Sequence, residues 1–317
     1  MLKFLDVTLR DGLYVAEYLD NKKTAYSIIK ALLQAGIEFI EIGYWNDHVK
    51  EPGPSSCGRE YLENLPKAKA TYCMMIQSKN ASRINFKELA LTPVSLLRFP
   101  CLPISIKEIE SYVYQAKEAG FKVSINIIRS SEHSLKEIIS AAKIAESWNA
   151  DWICVADSNG ALLPERVYKI IYELHENIGA QLGFHAHNGL SFALSNALQA
   201  IKAGASLIDT SICGIGKGSN LSLELIGMFL GMNGMLDIKL FPIFETIYQN
   251  IYLNEGQHVL TKFEDTCTAV LNYNLDKILQ LKSQYNLNSK EFLTKLIEIY
   301  EERAQNSLSL MVKERSL

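Results

Sequence analysis

Gln34-Ala35-Gly36 runs straight into Ile37-Glu38-Phe39-Ile40-Glu41-Ile42. The same passage returns as Glu118-Ala119-Gly120 into Phe121-Lys122-Val123-Ser124-Ile125-Asn126-Ile127, and as Lys202-Ala203-Gly204 into Ala205-Ser206-Leu207-Ile208-Asp209-Thr210. Each is the end of an amphipathic helix, a small-residue stop and an apolar strand. Trp148-Asn149-Ala150 before Asp151-Trp152-Ile153-Cys154-Val155 is a variant, with Asn in the left-handed cap position that Gly fills elsewhere. Working outward, eight strands are predicted at 2–7, 37–43, 70–76, 94–99, 121–128, 151–156, 181–186 and 205–210. Most are near-continuous apolar runs, as expected when both faces of a parallel sheet are covered. Helices are predicted at 22–35, 106–119, 133–148, 164–178 and 190–203. Ser134-Leu135-Lys136-Glu137 has capping-box spacing, and Pro164 stands early in its helix, where proline is tolerated. Eight βα units in succession predict a (β/α)8 TIM barrel over residues 1–237. A doubly wound open sheet is the alternative, and the absence of GxGxxG after the first strand argues against a dinucleotide-binding version.

Beyond about Phe241 strand signals fade, and residues 238–317 read as a C-terminal helical region. Its clearest helix is Ser289–Gln305, with Phe292, Leu293, Leu296, Ile297, Ile299 and Tyr300 on one face that must bury against the barrel or a partner chain. The tail from Ser309 reads as frayed.

The 317 residues carry 32 Lys and Arg against 35 Asp and Glu, a net charge of −3, with no basic run to suggest nucleic acid. The six cysteines are scattered without a CxxC, so they read as reduced core thiols in a cytoplasmic protein. No signal peptide or membrane-spanning run is expected.

The polar residues that interrupt these apolar strands fall at their C-terminal ends, where barrels of this kind place their active sites. Strand 1 leads to Arg10 and Asp11, strand 2 carries Glu41, and strand 4 carries Arg98. Strand 6 ends in Asp157-Ser158-Asn159-Gly160, strand 7 in His185-Ala186-His187-Asn188, and strand 8 leads into Gly214-Ile215-Gly216-Lys217-Gly218-Ser219-Asn220. Residues i and i+2 of a strand share a face, so His185 and His187 can present both imidazoles to one ion. Asp11 would complete a set of two histidines and one carboxylate. Taken singly, each has a plain reading. Arg10 and Asp11 make a surface ion pair beside a turn, the histidines cap a strand, Asp157–Gly160 is a turn, and the glycine-rich segment is a loop or an anion cradle. Their joint placement at successive strand ends favours a site.

Asp6-Val7-Thr8-Leu9-Arg10-Asp11-Gly12 resembles the signature of the DRE-TIM metallolyases, the superfamily of HMG-CoA lyase, the isopropylmalate and homocitrate synthases and 4-hydroxy-2-oxovalerate aldolase. Gly183-Phe184-His185-Ala186-His187-Asn188, followed by Leu190, Ala193, Asn196 and Ala197, resembles their second signature. Gly214–Asn220 with Glu224, and Val155-Ala156-Asp157-Ser158, resemble the hydroxy-oxovalerate aldolase branch. The likeness spans about residues 1–230 with four motifs in order. It implies a divalent ion, Mn2+ or Mg2+, on Asp11, His185 and His187, with Asn220 as a further ligand. It also implies a 2-oxo acid substrate held by Arg10 and Ser158, and pyruvate and an aldehyde as products. The branch has a histidine three residues after the metal aspartate, and here that position is Tyr14. A tyrosine, with an ordinary pKa of roughly 10, is a poor base at neutral pH. Tyr14 is therefore assigned to the catalytic set as a substrate-orienting group. His48 is the other candidate base, with a surface histidine as its plain reading. Two other readings stay open: a Claisen-type acyl-CoA lyase or synthase, and a non-catalytic metal-binding barrel. The resemblance further implies an aldehyde dehydrogenase partner at the 289–305 helix, whose apolar face otherwise reads as structural packing or as the surface of a homodimer.

Overall fold

Each helix-to-strand passage turns on one left-handed residue. Gly36, Gly120 and Gly204 have φ of 88°, 91° and 114°, and Asn149 takes 57°. The amide after each returns to the last helical turn: Ile37 to the Leu32 carbonyl at 2.9 Å, Phe121 to Ala116 at 3.0 Å, Ala205 to Ala200 at 2.9 Å, and Ala150 to Ala145 at 3.3 Å. This cap closes the helix and sends the chain back alongside it as a strand. The start signals hold as well. Ser134 and Glu137 form a reciprocal capping box, and Pro164 occupies the first turn of the helix Pro164–Asn177.

The protein is described by a computed structural model covering residues 2–46, 53–273, 275–285 and 289–314. Eight parallel strands close into one barrel in chain order. They are β1 (Lys3–Asp6), β2 (Phe39–Tyr44), β3 (Thr71–Met75), β4 (Val94–Cys101), β5 (Lys122–Ile127), β6 (Trp152–Asp157), β7 (Gln181–Ala186) and β8 (Leu207–Thr210). The barrel closes where Lys3 pairs with Leu207 and Asp6 with Thr210. The fold is the (β/α)8 barrel, not the open sheet. Helical starts differ from expectation at two places: residues 103–109 form a tighter 3-10 turn behind Pro103, so that the α-helix proper is Glu110–Glu118, and the helix expected from 190 begins at Ala193.

Pleating sorts the barrel interior into layers. At its N-terminal end Leu5, Val7, Phe39, Cys73, Leu96, Trp152 and Leu207 form an apolar cluster apart from the main core. Two residues further along the same strands come Glu41, Arg98, Cys154 and Asp209, all buried. The apolar plug seals the bottom, so the polar layer above it is reached only from the C-terminal mouth.

The C-terminal helix spans Ser289–Glu314, so it runs on beyond Ser309, where the sequence suggests fraying; residues 315–317 lie outside the described residues. It packs on the helices Leu223–Met232, Leu240–Thr246 and His258–Val270. Phe292, Leu293, Leu296, Ile297 and Tyr300 are all buried by the chain itself. That face is covered here, so a second subunit or a partner enzyme would need another surface. Tyr300 fits a notch on the helix Leu223–Met232, where its hydroxyl donates to the Gly227 carbonyl at 3.4 Å and a side chain at Gly231 would collide with it.

Candidate metal centre and active-site cavity

β7 and the loop after β8 bring the two histidines and the asparagine together. Leu221 N–H donates to the Ala186 carbonyl at 3.0 Å and Asn188 N–H to Ser219 at 2.9 Å, so the loop lies along the end of β7 with Asn220 opposite His187. Asp11 arrives from the helical turn Thr8–Asp11 that ends β1. One donor atom each from Asp11, His185 and His187 lie within 4.8 Å of one another, and all three residues are buried. Gly216 makes this closeness possible: a Cβ there would overlap Asn220 Nδ2 and Asp11 Oδ2.

The donor set fits a small divalent cation. His185 Nδ1 lies 3.0 Å from the Asp209 carboxylate, an obligate acceptor, so the ring carries its proton there and directs the Nε2 lone pair into the site. His185 Nε2 and His187 Nε2 are 3.1 Å apart. That is the edge two adjacent ligands make around one ion, roughly 3 Å for bonds of about 2.1 Å. Burial and the neighbouring His185 lower His187 to about 4, leaving it neutral at physiological pH, as a ligand must be. Asn220 donates through Nδ2 to Asp11 Oδ2 at 2.7 Å, while its Oδ1 is buried with no donor among the described residues. Burial works to raise Asp11, but Arg10 and His185 outweigh it and hold the carboxyl low, in its ligating form.

Beneath the donors runs a chain of alternating charges. Arg10 pairs with Asp11 and donates through Nε to Glu41 Oε2 at 2.6 Å. Glu41 Oε1 is 3.3 Å from Arg98 Nη1, and Arg98 Nη2 donates to Asp209 Oδ2 at 2.6 Å. Burial works to raise Asp209, yet Arg98 and His185 hold it at about 2. Each buried charge is thus met by an opposite one, which such burial requires.

Above lies a cavity of about 470 Å3 lined by Arg10, Asp11, His185 and His187, with Tyr14, Tyr44 and Ser158 around them. Tyr44 donates to the Tyr14 hydroxyl at 2.9 Å, and the Arg10 guanidinium sits 5.9 Å from the Tyr44 ring centre. Burial pushes the Tyr44 phenol far above its ordinary value, so it remains a donor. Asp157–Gly160 is the turn its composition suggests: Asp157 accepts from the amides of Ala161 and Leu162, both at 3.0 Å, and Ser158 is left at the cavity wall, where it accepts from Arg129 N–H at 2.9 Å. His48 lies outside the described residues.

Residues 102–247 match the HMGL-like family. That stretch holds Ser158, His185, His187 and Asn220; Arg10 and Asp11 join it from β1. The chain is 28% identical over 251 residues to a 4-hydroxy-2-oxovalerate aldolase of Chloroflexus aurantiacus, covering 74% of this chain and 72% of that one. It is 27% identical over 262 residues to one of Bacillus cereus, covering 79% and 76%. Among solved structures it is similar to the N-terminal domain of a candidate aldolase from Bacteroides vulgatus, with a TM-score of 0.67 and 25% identity over 93% of this chain and 96% of that one. Hydroxymethylglutaryl-CoA lyase from Pseudomonas aeruginosa shares the fold, with a TM-score of 0.70 at 16% identity over 81% and 93%. Together with the HMGL-like match over residues 102–247, the aldolase-named relatives mark the chain as a lyase.

Sequence reasoning places Arg10, Asp11, Tyr14, Ser158, His185, His187 and Asn220 around one mouth, and the structure brings all seven together. It misses Asp209, whose signal is an acid inside an otherwise apolar strand. It also misses Tyr44 and the cavity residues Lys79, Asn126 and Arg129. Among the described residues no helix is long and apolar enough to cross a membrane.

Proposed function

We propose that the protein is a divalent-metal-dependent aldolase, cleaving a 4-hydroxy-2-oxo acid to pyruvate and an aldehyde or joining them in reverse. The observation that carries this is the buried Asp11–His185–His187 set opening into a closed-bottomed cavity beside Arg10. Mn2+ or Mg2+ would be held by those three residues and Asn220 Oδ1, and supplies a Lewis acid at the 2-oxo group. In the cleavage direction the 4-hydroxyl gives up its proton as the C3–C4 bond breaks. C4 becomes the aldehyde, the bonding pair stays on C3, and a proton added to C3 completes the methyl of pyruvate.

The residues divide this work. Arg10 presents fixed positive charge where negative charge gathers on the oxo acid, and its ties to Asp11 and Glu41 keep it from swinging away. Ser158 holds the substrate carboxylate. Tyr14 takes the place of the branch's histidine as the group that holds the 4-hydroxyl. Because Tyr44 already donates to its oxygen, Tyr14 can direct its own proton toward substrate. The pair orients the 4-hydroxyl, and the proton that hydroxyl releases passes to solvent at the mouth. An aldehyde released there suits an aldehyde dehydrogenase as its consumer.

The test is pyruvate release by chelator-stripped protein resupplied with Mn2+ or Mg2+ and offered 4-hydroxy-2-oxo acids of increasing length. Metal-dependent release is expected, lowered by about 10^3-fold or more in Asp11→Ala and His185→Ala, where the charge-stabilising ion is lost. Stoichiometric metal binding with no release from any of them would overturn the reading in favour of acyl-CoA chemistry or a non-catalytic barrel.

A further inference from the structure

The far wall of the cavity carries cations that the reaction above does not use. In an eight-strand barrel closed in chain order, β3 stands opposite β7 and β5 opposite β1. The histidines come from β7 and Asp11 follows β1. Across from them, Lys79 follows β3, while Asn126 lies on β5 and Arg129 follows it; all three line the same cavity. Among the described residues neither Lys79 nor Arg129 has a carboxylate partner, and the cavity's one acid, Asp11, is paired with Arg10. Asn126 is 3% exposed and lines the cavity, and its Oδ1 accepts from Ser124 at 2.9 Å. Arg129 is held in a left-handed backbone with φ of 54° while its amide binds Ser158, which anchors it beside the cavity.

An amide on the cavity wall, beside two cations without acidic partners, favours an anion. A simple alkyl aldehyde gives that wall nothing to hold. We propose that the substrate of this site carries a second anionic group, a carboxylate or a phosphate, at the end remote from the 2-oxo acid. That group sits on Lys79, Arg129 and Asn126 while the 2-oxo acid lies at the metal set. The aldehyde partner is therefore an aldehydo acid or a phosphorylated aldehyde. This rests on the aldolase reading and narrows it to a substrate class.

The test compares three 4-hydroxy-2-oxo acids of matched length, ending in methyl, carboxylate or phosphate, with the Mn2+-loaded full chain. The anionic substrates are expected to exceed the methyl one in kcat/KM by about tenfold or more, the advantage shrinking as salt screens the exposed cations. Whichever anionic end is favoured identifies its source. In Lys79→Met, Arg129→Met and the double variant, the ratio of anionic to neutral kcat/KM should fall toward unity, with retained Mn2+ binding showing that the site remains folded. Equal kcat/KM for all three in the unaltered chain would overturn this inference and leave the aldolase intact. A preference that survives the double variant would overturn the assignment to this wall. No pyruvate from any of the three would overturn both.

Discussion

On the β7–β8–β1 side of the mouth, exposed Lys217 apart, side chains are held by other buried side chains: Asp11 by Arg10 and Asn220, His185 by Asp209, Asp209 by Arg98. On the β3–β5 side, Lys79 and Arg129 are exposed and, among the described residues, without acidic partners. The first wall holds its donors in place before any ligand arrives, which is what catalysis by charge requires. The second keeps its charges unpaired, which is what selection by charge requires. The difference separates what can be done to a substrate from which substrate is chosen, and it can be attacked from either side.

The largest effect should come from Arg98→Met. It leaves Glu41 with Arg10 alone and strips buried Asp209 of its only arginine, at a cost of about 3–5 kcal/mol in urea unfolding. A loss below about 1 kcal/mol would mean that the charge chain does not hold the metal wall in place.

Asp6 tests how that wall is tied to β8. Its carboxylate accepts from Thr8 N–H at 3.0 Å and from the Thr8 hydroxyl at 2.9 Å, and Thr8 Oγ1 accepts from Ile212 N–H at 2.8 Å. Burial raises Asp6 to about 7. The native state therefore holds this proton more tightly than the unfolded chain does. Its contribution to stability is complete below pH 4 and fades as pH climbs through 7, by a few kcal/mol in all. Asp6→Asn should flatten that slope in unfolding experiments between pH 4 and 7; an unchanged slope would assign the titration elsewhere.

Gly216→Ala should strike metal affinity while leaving the fold. With its Cβ driven into Asn220 and Asp11, Mn2+ binding is expected to weaken roughly 10–100-fold by calorimetry, with unchanged circular dichroism. The smallest effect belongs to Tyr44→Phe. Losing one hydrogen bond to Tyr14 is worth about 1 kcal/mol, or roughly fivefold in kcat with little change in metal binding. A far larger loss would give the tyrosine pair a chemical rather than an orienting part.

The barrel was readable because its signals are local and repeated: a left-handed cap at Gly36, Gly120, Asn149 and Gly204, each followed by an apolar strand. The metal wall was readable because His185 and His187 share a pleat and Asp11 ends a strand. Asp209 needed the register between β7 and β8, in which it lies beside His185, and register is not written in either strand alone. Lys79 sits in the short helical turn Ser78–Ala81 and Arg129 in a loop, neither with periodicity, and nothing local distinguishes them from the other Lys and Arg residues. Only barrel closure shows that they look across at the metal set. Fraying was expected from Ser309, but the helix continues to Glu314.

Asp11 and Asn220 touch although 209 positions separate them along the chain. Their contact therefore forms only when β8 has been made and has met β1. On a ribosome the site would be the last part of the barrel to come into being. A divalent ion held by Asp11 together with His185 and His187 would then span the closing seam. Such an ion would stabilise the finished barrel in proportion to its excess over its dissociation constant and give the unfolded chain nothing comparable. Metal supply would thus set how long a newly made molecule survives, as well as whether it turns over.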